Sequence, residues 1–116
     1  MKMIAAVIQP FMLTRLTRAL EEIEDFPGMT VIDVQGFGRE KAHHDPGSRH
    51  SRIEDVVDFV KKVRVEIVAH NFMVDQIVKT IAETAHTGNR GDGKIFVLSV
   101  EHAVRIKTGE AGDAAI

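Results

Sequence analysis

Residues 60–85 read V-K-K-V-R-V-E-I-V-A-H-N-F-M-V-D-Q-I-V-K-T-I-A-E-T-A, and the spacing of their apolar positions changes once. Over 60–68 the period is two, with Val63, Val65 and Ile67 on one face and Lys62, Arg64 and Glu66 on the other. That is the pattern of a strand with one solvated or site-lining face. Val74, Ile77, Val78, Ile81 and Ala85 then recur at helical spacing, which predicts an amphipathic helix with Asn71 as its cap. Upstream, 2–9 is a short apolar run ended by Pro10, which removes a ladder donor. Leu13, Leu16, Ala19, Leu20 and Ile23 predict a first amphipathic helix stopped by Pro27 and Gly28, and 29–35 predicts a strand running into Gly36. Downstream, 95–100 reads as a strand and 103–106 as a further short one before a polar tail.

The order strand, helix, strand, long loop, strand, helix, strand predicts an α+β fold: a ferredoxin-like split β-α-β sheet (βαββαβ) with both helices on one face. Beyond these two β-α-β units no internal repeat and no low-complexity segment is legible. No further helix remains to cover the other face of the sheet, so an oligomer is expected. The segment 38–55 holds almost no large apolar residue and is rich in charge, His, Gly and Pro, so burial cannot order it, and a loop that long in a small domain tends to be functional or disordered.

With 116 residues, 44% hydrophobic and 28% charged, the chain suits a single domain spanning 1–116. The absence of cysteine excludes disulfides, thiolate metal sites and a cysteine nucleophile, and agrees with a reducing compartment. No apolar run approaches the roughly 20 residues that span a bilayer, and the start lacks a small-residue cleavage site, so a cytoplasmic protein with no membrane insertion is expected. Fifteen Lys and Arg against seventeen Asp and Glu leave a net charge of -2, and neither Tyr nor Trp is present to stack on bases; a nucleic-acid partner is not expected.

Two glycine-flanked turns stand out, Gly36-Phe37-Gly38-Arg39 and Thr87-Gly88-Asn89-Arg90-Gly91-Asp92-Gly93-Lys94. Glycines admit backbone amides close to a ligand, and Lys94 offers a cation to a phosphate. Neither turn matches a Walker or dinucleotide fingerprint, and by spacing alone both read as tight turns. Arg105 and Lys107 lie on one side of an extended R-I-K-T, also an ordinary pattern taken alone.

Taken in order, G-F-G-R, T-G-x-x-G-D-G-K-I-F-V, R-I-K-T-G-E and the closing D-A-A-I resemble the PII signal-transduction family, also called nitrogen regulatory protein P-II. The resemblance includes the opening K-M-I-A-A-V-I-Q-P-F and the G-M-T-V at 28–31, and fails only at about 42–55. It implies a homotrimer of ferredoxin-like subunits, each with a T-loop (here about 38–58), and an ATP or ADP site in the cleft between neighbours. It further implies a non-enzymatic regulator of nitrogen metabolism whose T-loop docks on a membrane transporter, an enzyme or a regulatory protein. Position by position, Gly91, Asp92, Gly93 and Lys94 would cradle phosphates, with Arg105 and Lys107 reaching in from the adjacent subunit. Val7, Thr30, Gly36, Phe37, Gly38, Arg39, Glu66 and Val68 would line the nucleotide, and Lys62 would pair with bound 2-oxoglutarate.

Three departures from the family pattern bear on function. Lys107 stands where the family usually has Arg, and an ammonium meets phosphate without the bidentate fork. Glu40 replaces the usual glutamine; its carboxylate suits Mg²⁺, but beside dianionic 2-oxoglutarate one like-charge pair at 4 Å costs on the order of 4 kcal/mol at a dielectric of 20. That charge weighs against a 2-oxoglutarate response. The loop also has no tyrosine to uridylylate, and carries His43, His44 and His50 beside Asp45 instead. Such ligands suit Zn²⁺, Ni²⁺ or Cu²⁺, which motivates an alternative, a metal-responsive trimer linked to metal transport; the plainer reading is solvated histidines. A third reading, a small ATP-hydrolysing enzyme, lacks a paired base and nucleophile near the glycine turns. Ser48 and Ser51 are ordinary loop serines, and His70, His86 and His102 are assigned no role.

Overall fold

The computed structural model describes residues 1–37 and 58–116, so the expected loop 38–55 lies outside the described residues. Strand β1 (Lys2–Ile8) passes through a 3-10 turn (Pro10–Met12) into helix α1 (Leu13–Glu21), followed by strands β2 (Thr30–Gly36) and β3 (Val60–Ala69). A second 3-10 turn (Asn71–Met73) opens helix α2 (Val74–Ala85), then come strand β4 (Lys94–Ser99) and a final 3-10 turn (Gly112–Ala115). The four strands form one antiparallel sheet in the order β2-β3-β1-β4, the split β-α-β arrangement expected. Burying β3's alternate residues Val63, Val65, Ile67 and Ala69 puts them in one core with Leu16 and Leu20 of α1 and Ile77 and Ile81 of α2. Each Val, Leu or Ile side chain among them contributes roughly 1.5–3 kcal/mol on leaving water.

The core positions reveal a repeat that the residue types conceal. Ile4 and Val65, Ala6 and Ile67, Ile8 and Ala69, Met12 and Met73, Leu16 and Ile77, and Leu20 and Ile81 are all buried, each pair separated by the same number of residues. Ala5 and Glu66, at that same separation, are directly paired across β1 and β3, so the pseudo-twofold axis passes between them. Burial and apolarity repeat while size and identity drift, as with Ala6 against Ile67 and Ile8 against Ala69, because a core constrains total volume and pattern rather than the side chain at each position.

Several local expectations shift. Asn71 is not a cap: it belongs to the 3-10 turn, Met73 precedes α2, and neither helix has a side-chain cap bond. The chain enters each helix by a tightened turn, with Pro10 at a position where a missing donor costs nothing. Helix α1 ends at Glu21, well before Pro27; Ile23 and Phe26 continue in short turns through their amides to Leu20 and Ile23 carbonyls. The strand expected at 103–106 is reduced to one bridge between Val104 and Ala111 and adds no strand to the sheet, although β4 leaves one edge unpaired among the described residues.

Candidate functional site

Cross-strand register puts the charged side of β3 on the sheet face that the helices leave open. Thr30, Glu66, Ala5 and Phe96 form one row across the four strands, and Ile32, Arg64, Val7 and Lys94 the next. Val68 stands beside Met3, and Lys62 beside Val34. Arg64 Nε donates to Glu66 Oε2 at 3.0 Å, a pairing the period-two reading allowed because both residues share the face. Val7, Thr30, Glu66, Val68, Lys62 and Lys94 are thus brought onto one surface.

The turn between α2 and β4 stands at one end of that surface. Asp92 accepts from the Thr87 amide at 2.7 Å, the Gly88 amide at 2.9 Å and the Thr87 hydroxyl, while His86 Nδ1 lies 3.7 Å away. The Thr87 hydroxyl, then the Thr87 amide, hold the Asp92 carboxyl below its usual 3.8, aided by Gly88 and His86 and opposed by desolvation. The Asp92 carboxylate therefore braces the turn. His86, a residue without an expected role, is drawn into this brace.

Gly91 and Gly93 have φ of +84° and +101°, conformations that L side chains rarely adopt. At Gly93 a Cβ would also collide with the Val7 carbonyl oxygen, so only glycine lets the turn approach the end of β1. Lys62 Nζ donates to Gln9 Oε1 at 3.1 Å and to the Gly91 carbonyl, and Gln9 Nε2 donates to the Arg90 carbonyl at 3.3 Å. Lys94 is exposed and has no hydrogen-bond or ion-pair partner among the described residues. A cleft of about 260 Å³ opens beside it, with Ile8, Ile81, Ala85 and Ile95 among its apolar lining and His86, Asp92 and Lys94 as polar groups. Close backbone approach plus a free ammonium fits an anionic ligand such as a phosphate.

Arg105 and Lys107 lie elsewhere. The Arg105 amide donates to the Glu110 carbonyl at 2.8 Å, the Gly109 amide to Arg105, and Arg105 Nε to the Ala115 carbonyl at 3.4 Å. This C-terminal segment is tied to the start of β1: Asp113 lies 3.9 Å from the Met1 ammonium, and the Val100 amide donates to Met1. Val7 and the glycine turn are at the other end of β1, roughly 20 Å away at ~3.3 Å per residue. One copy of the chain does not bring Arg105 and Lys107 to Lys94.

Phe37 and Phe59 meet edge to face, ring centroids 6.5 Å apart, next to the last β2–β3 pair, Gly36 with Val60. Gly38, Arg39, Glu40, His43, His44 and His50 lie outside the described residues. Sequence reasoning missed Gln9 and the Thr87–Asp92 brace. A hydroxyl and a carboxylate flanking a glycine-rich turn was the legible signal for the brace; nothing local marked Gln9, whose partners are distant in sequence.

The family model for nitrogen regulatory protein P-II matches residues 1–110. Nitrogen regulatory protein P-II 1 of Escherichia coli K12 is 49% identical over 116 residues, covering 100% of both chains. Nitrogen regulatory protein P-II of Azospirillum brasilense is 46% identical with the same coverage. Among solved structures, Arabidopsis thaliana PII bound to citrate superposes with a TM-score of 0.79 at 38% identity, over 99% of this chain and 91% of that one.

Proposed function

Because the chain belongs to the nitrogen regulatory protein P-II family, a family of signal-transduction regulators, we propose that it reports adenine-nucleotide state, binding ATP or ADP at the glycine turn and passing the signal to a protein partner. The observation that carries this reading is the turn itself: Gly91 and Gly93 at positive φ against the end of β1, with the Lys94 ammonium beside them and unpartnered among the described residues. In this reading the backbone at 91–93 and Lys94 hold the phosphates, Val7, Thr30, Gly36, Phe37, Gly38, Glu66 and Val68 line the base and ribose, and Arg39 is a further nucleotide-binding residue.

Arg105 and Lys107 come from a neighbouring subunit of a homotrimer, an arrangement supported by their anchoring at the far end of β1. The open sheet face, with Phe96 and Leu98 about half exposed, is where the copies associate. The whole chain acts as one domain, and segment 38–58 contacts the partner, a membrane transporter or regulatory protein. The family's regulatory role favours a sensor over a catalyst in the cytoplasm; among the described residues no helix is long and apolar enough to cross a membrane.

The Arabidopsis relative holds citrate, and by that likeness a small carboxylate is a second ligand class, with Lys62 the cation for it and Glu40 the residue that limits 2-oxoglutarate and offers Mg²⁺ an oxygen. Titration calorimetry tests the core of the proposal: ATP and ADP bind in the micromolar range, about 8 kcal/mol, and Lys94→Ala and Arg105→Ala each weaken both. Absence of heat and of thermal stabilisation at millimolar nucleotide overturns it. Glu40→Gln tests the carboxylate reading, since it should strengthen Mg²⁺-ATP-dependent 2-oxoglutarate binding.

A further inference from the structure

Lys62 and Gln9 do more than share a surface. The Lys62 ammonium spends one donor on Gln9 Oε1 and another on the Gly91 carbonyl, and the Gln9 amide spends a donor on the Arg90 carbonyl. Two successive carbonyls of the glycine turn are thus held by two side chains from the sheet, one on β3 and one just after β1. Gly91 is fitted to this arrangement: a Cβ there would stand 2.7 Å from Lys62 Nζ and 2.9 Å from Gln9 Nε2. Any side chain at 91 would push both partners away.

We infer that Gln9 is a positioning residue of the nucleotide turn: its amide bridges Lys62 to the Arg90 carbonyl and so sets the turn's shape for phosphate. A glutamine suits this task because one side chain offers both an acceptor to the ammonium and a donor to the carbonyl. A second consequence concerns Lys62. An anionic carboxylate ligand that recruits the Lys62 ammonium competes with Gln9 Oε1 and the Gly91 carbonyl for its donors, so carboxylate binding and the turn's hold are linked. The inference rests on the reading of the turn as a nucleotide site, and Gln9 acts there through Arg90, Gly91 and Lys62.

The test compares the full-length protein with Gln9→Leu, which keeps the bulk and removes both polar atoms, and with Gln9→Glu, which keeps only the acceptor. Backbone amide order parameters at 91–93 should fall in Gln9→Leu from the rigid value of about 0.85 toward about 0.6, while those of Thr87 and Gly88, whose amides are held by Asp92, stay as they are. ATP affinity should fall about tenfold in Gln9→Leu, ~1.4 kcal/mol. Gln9→Glu should show the same loosening at 91–93, because it cannot donate to the Arg90 carbonyl. Unchanged order parameters in Gln9→Leu overturn the inference, as does loosening with unaltered ATP affinity. If the unsubstituted protein binds no nucleotide, the reading of the site falls and takes the inference with it; if it binds and Gln9→Leu binds equally well, the inference falls alone.

Discussion

Gly93 meets the end of β1 so closely that its α-hydrogen occupies the space a Cβ would contest with the Val7 carbonyl oxygen. With φ at +101°, the position combines an unfavourable conformation with a backbone collision that no rotamer can relieve. Gly93→Ala should cost about 1–3 kcal/mol in urea unfolding, and should remove ATP binding by moving the turn off β1. An unaltered midpoint and unaltered ATP titration would contradict the close approach.

Asp92 gives the same turn a dependence on pH. Its carboxyl is held below 3.8 in the folded chain, so the stabilisation it provides is fully present above that value and is lost as pH falls through the lowered one. The Thr87 and Gly88 amide shifts, followed by NMR, should titrate with a midpoint below 3.8. In Asp92→Asn this titration should vanish and both amides should exchange faster. A midpoint above the ordinary carboxylate value would show that the brace is not formed.

The separation of Lys94 from Arg105 within one chain makes a complementation experiment decisive. Lys94→Ala and Arg105→Ala trimers should each bind ATP weakly, by roughly tenfold or more for a lost charge-assisted contact worth ~1.5–3 kcal/mol. Trimers reassembled from a mixture of the two should regain full-affinity sites at the interfaces where an intact Lys94 faces an intact Arg105. Mixed trimers no better than their parents, or a monomer in sedimentation, would refute shared sites.

Exposure separates two neighbouring apolar residues of the same turn and helix. Ile77 is completely buried in the core, whereas Phe72 is 83% exposed and stacks on His70, with ring centroids 5.7 Å apart. Ile77→Ala should cost about 2–5 kcal/mol, and Phe72→Ala should stay within roughly 0.5 kcal/mol. Equal costs in denaturant unfolding would mean that Phe72 is covered, as a contact between subunits would do.

The amino-acid sequence by itself determined the order and type of the four strands and two helices, because hydrophobic period is a local property: alternation along β3 and the 3.6-residue spacing of α2 need no knowledge of the rest of the chain. It also marked the glycine turn, since glycine is the residue that positive φ demands. Helix starts were less legible. Asn71 has the chemistry of a cap, yet a tightened turn satisfied the backbone instead. Only the tertiary structure decided which polar groups meet. Gln9, Lys62 and Gly91 are far apart in the chain and touch because β1 lies between β3 and β4. It alone likewise placed Arg105 at the opposite end of β1 from Lys94, and turned a degenerate spacing of core residues into a pseudo-twofold about Ala5 and Glu66. Those relationships depend on register, and register is set by burying one face of the whole sheet at once, which no single segment encodes.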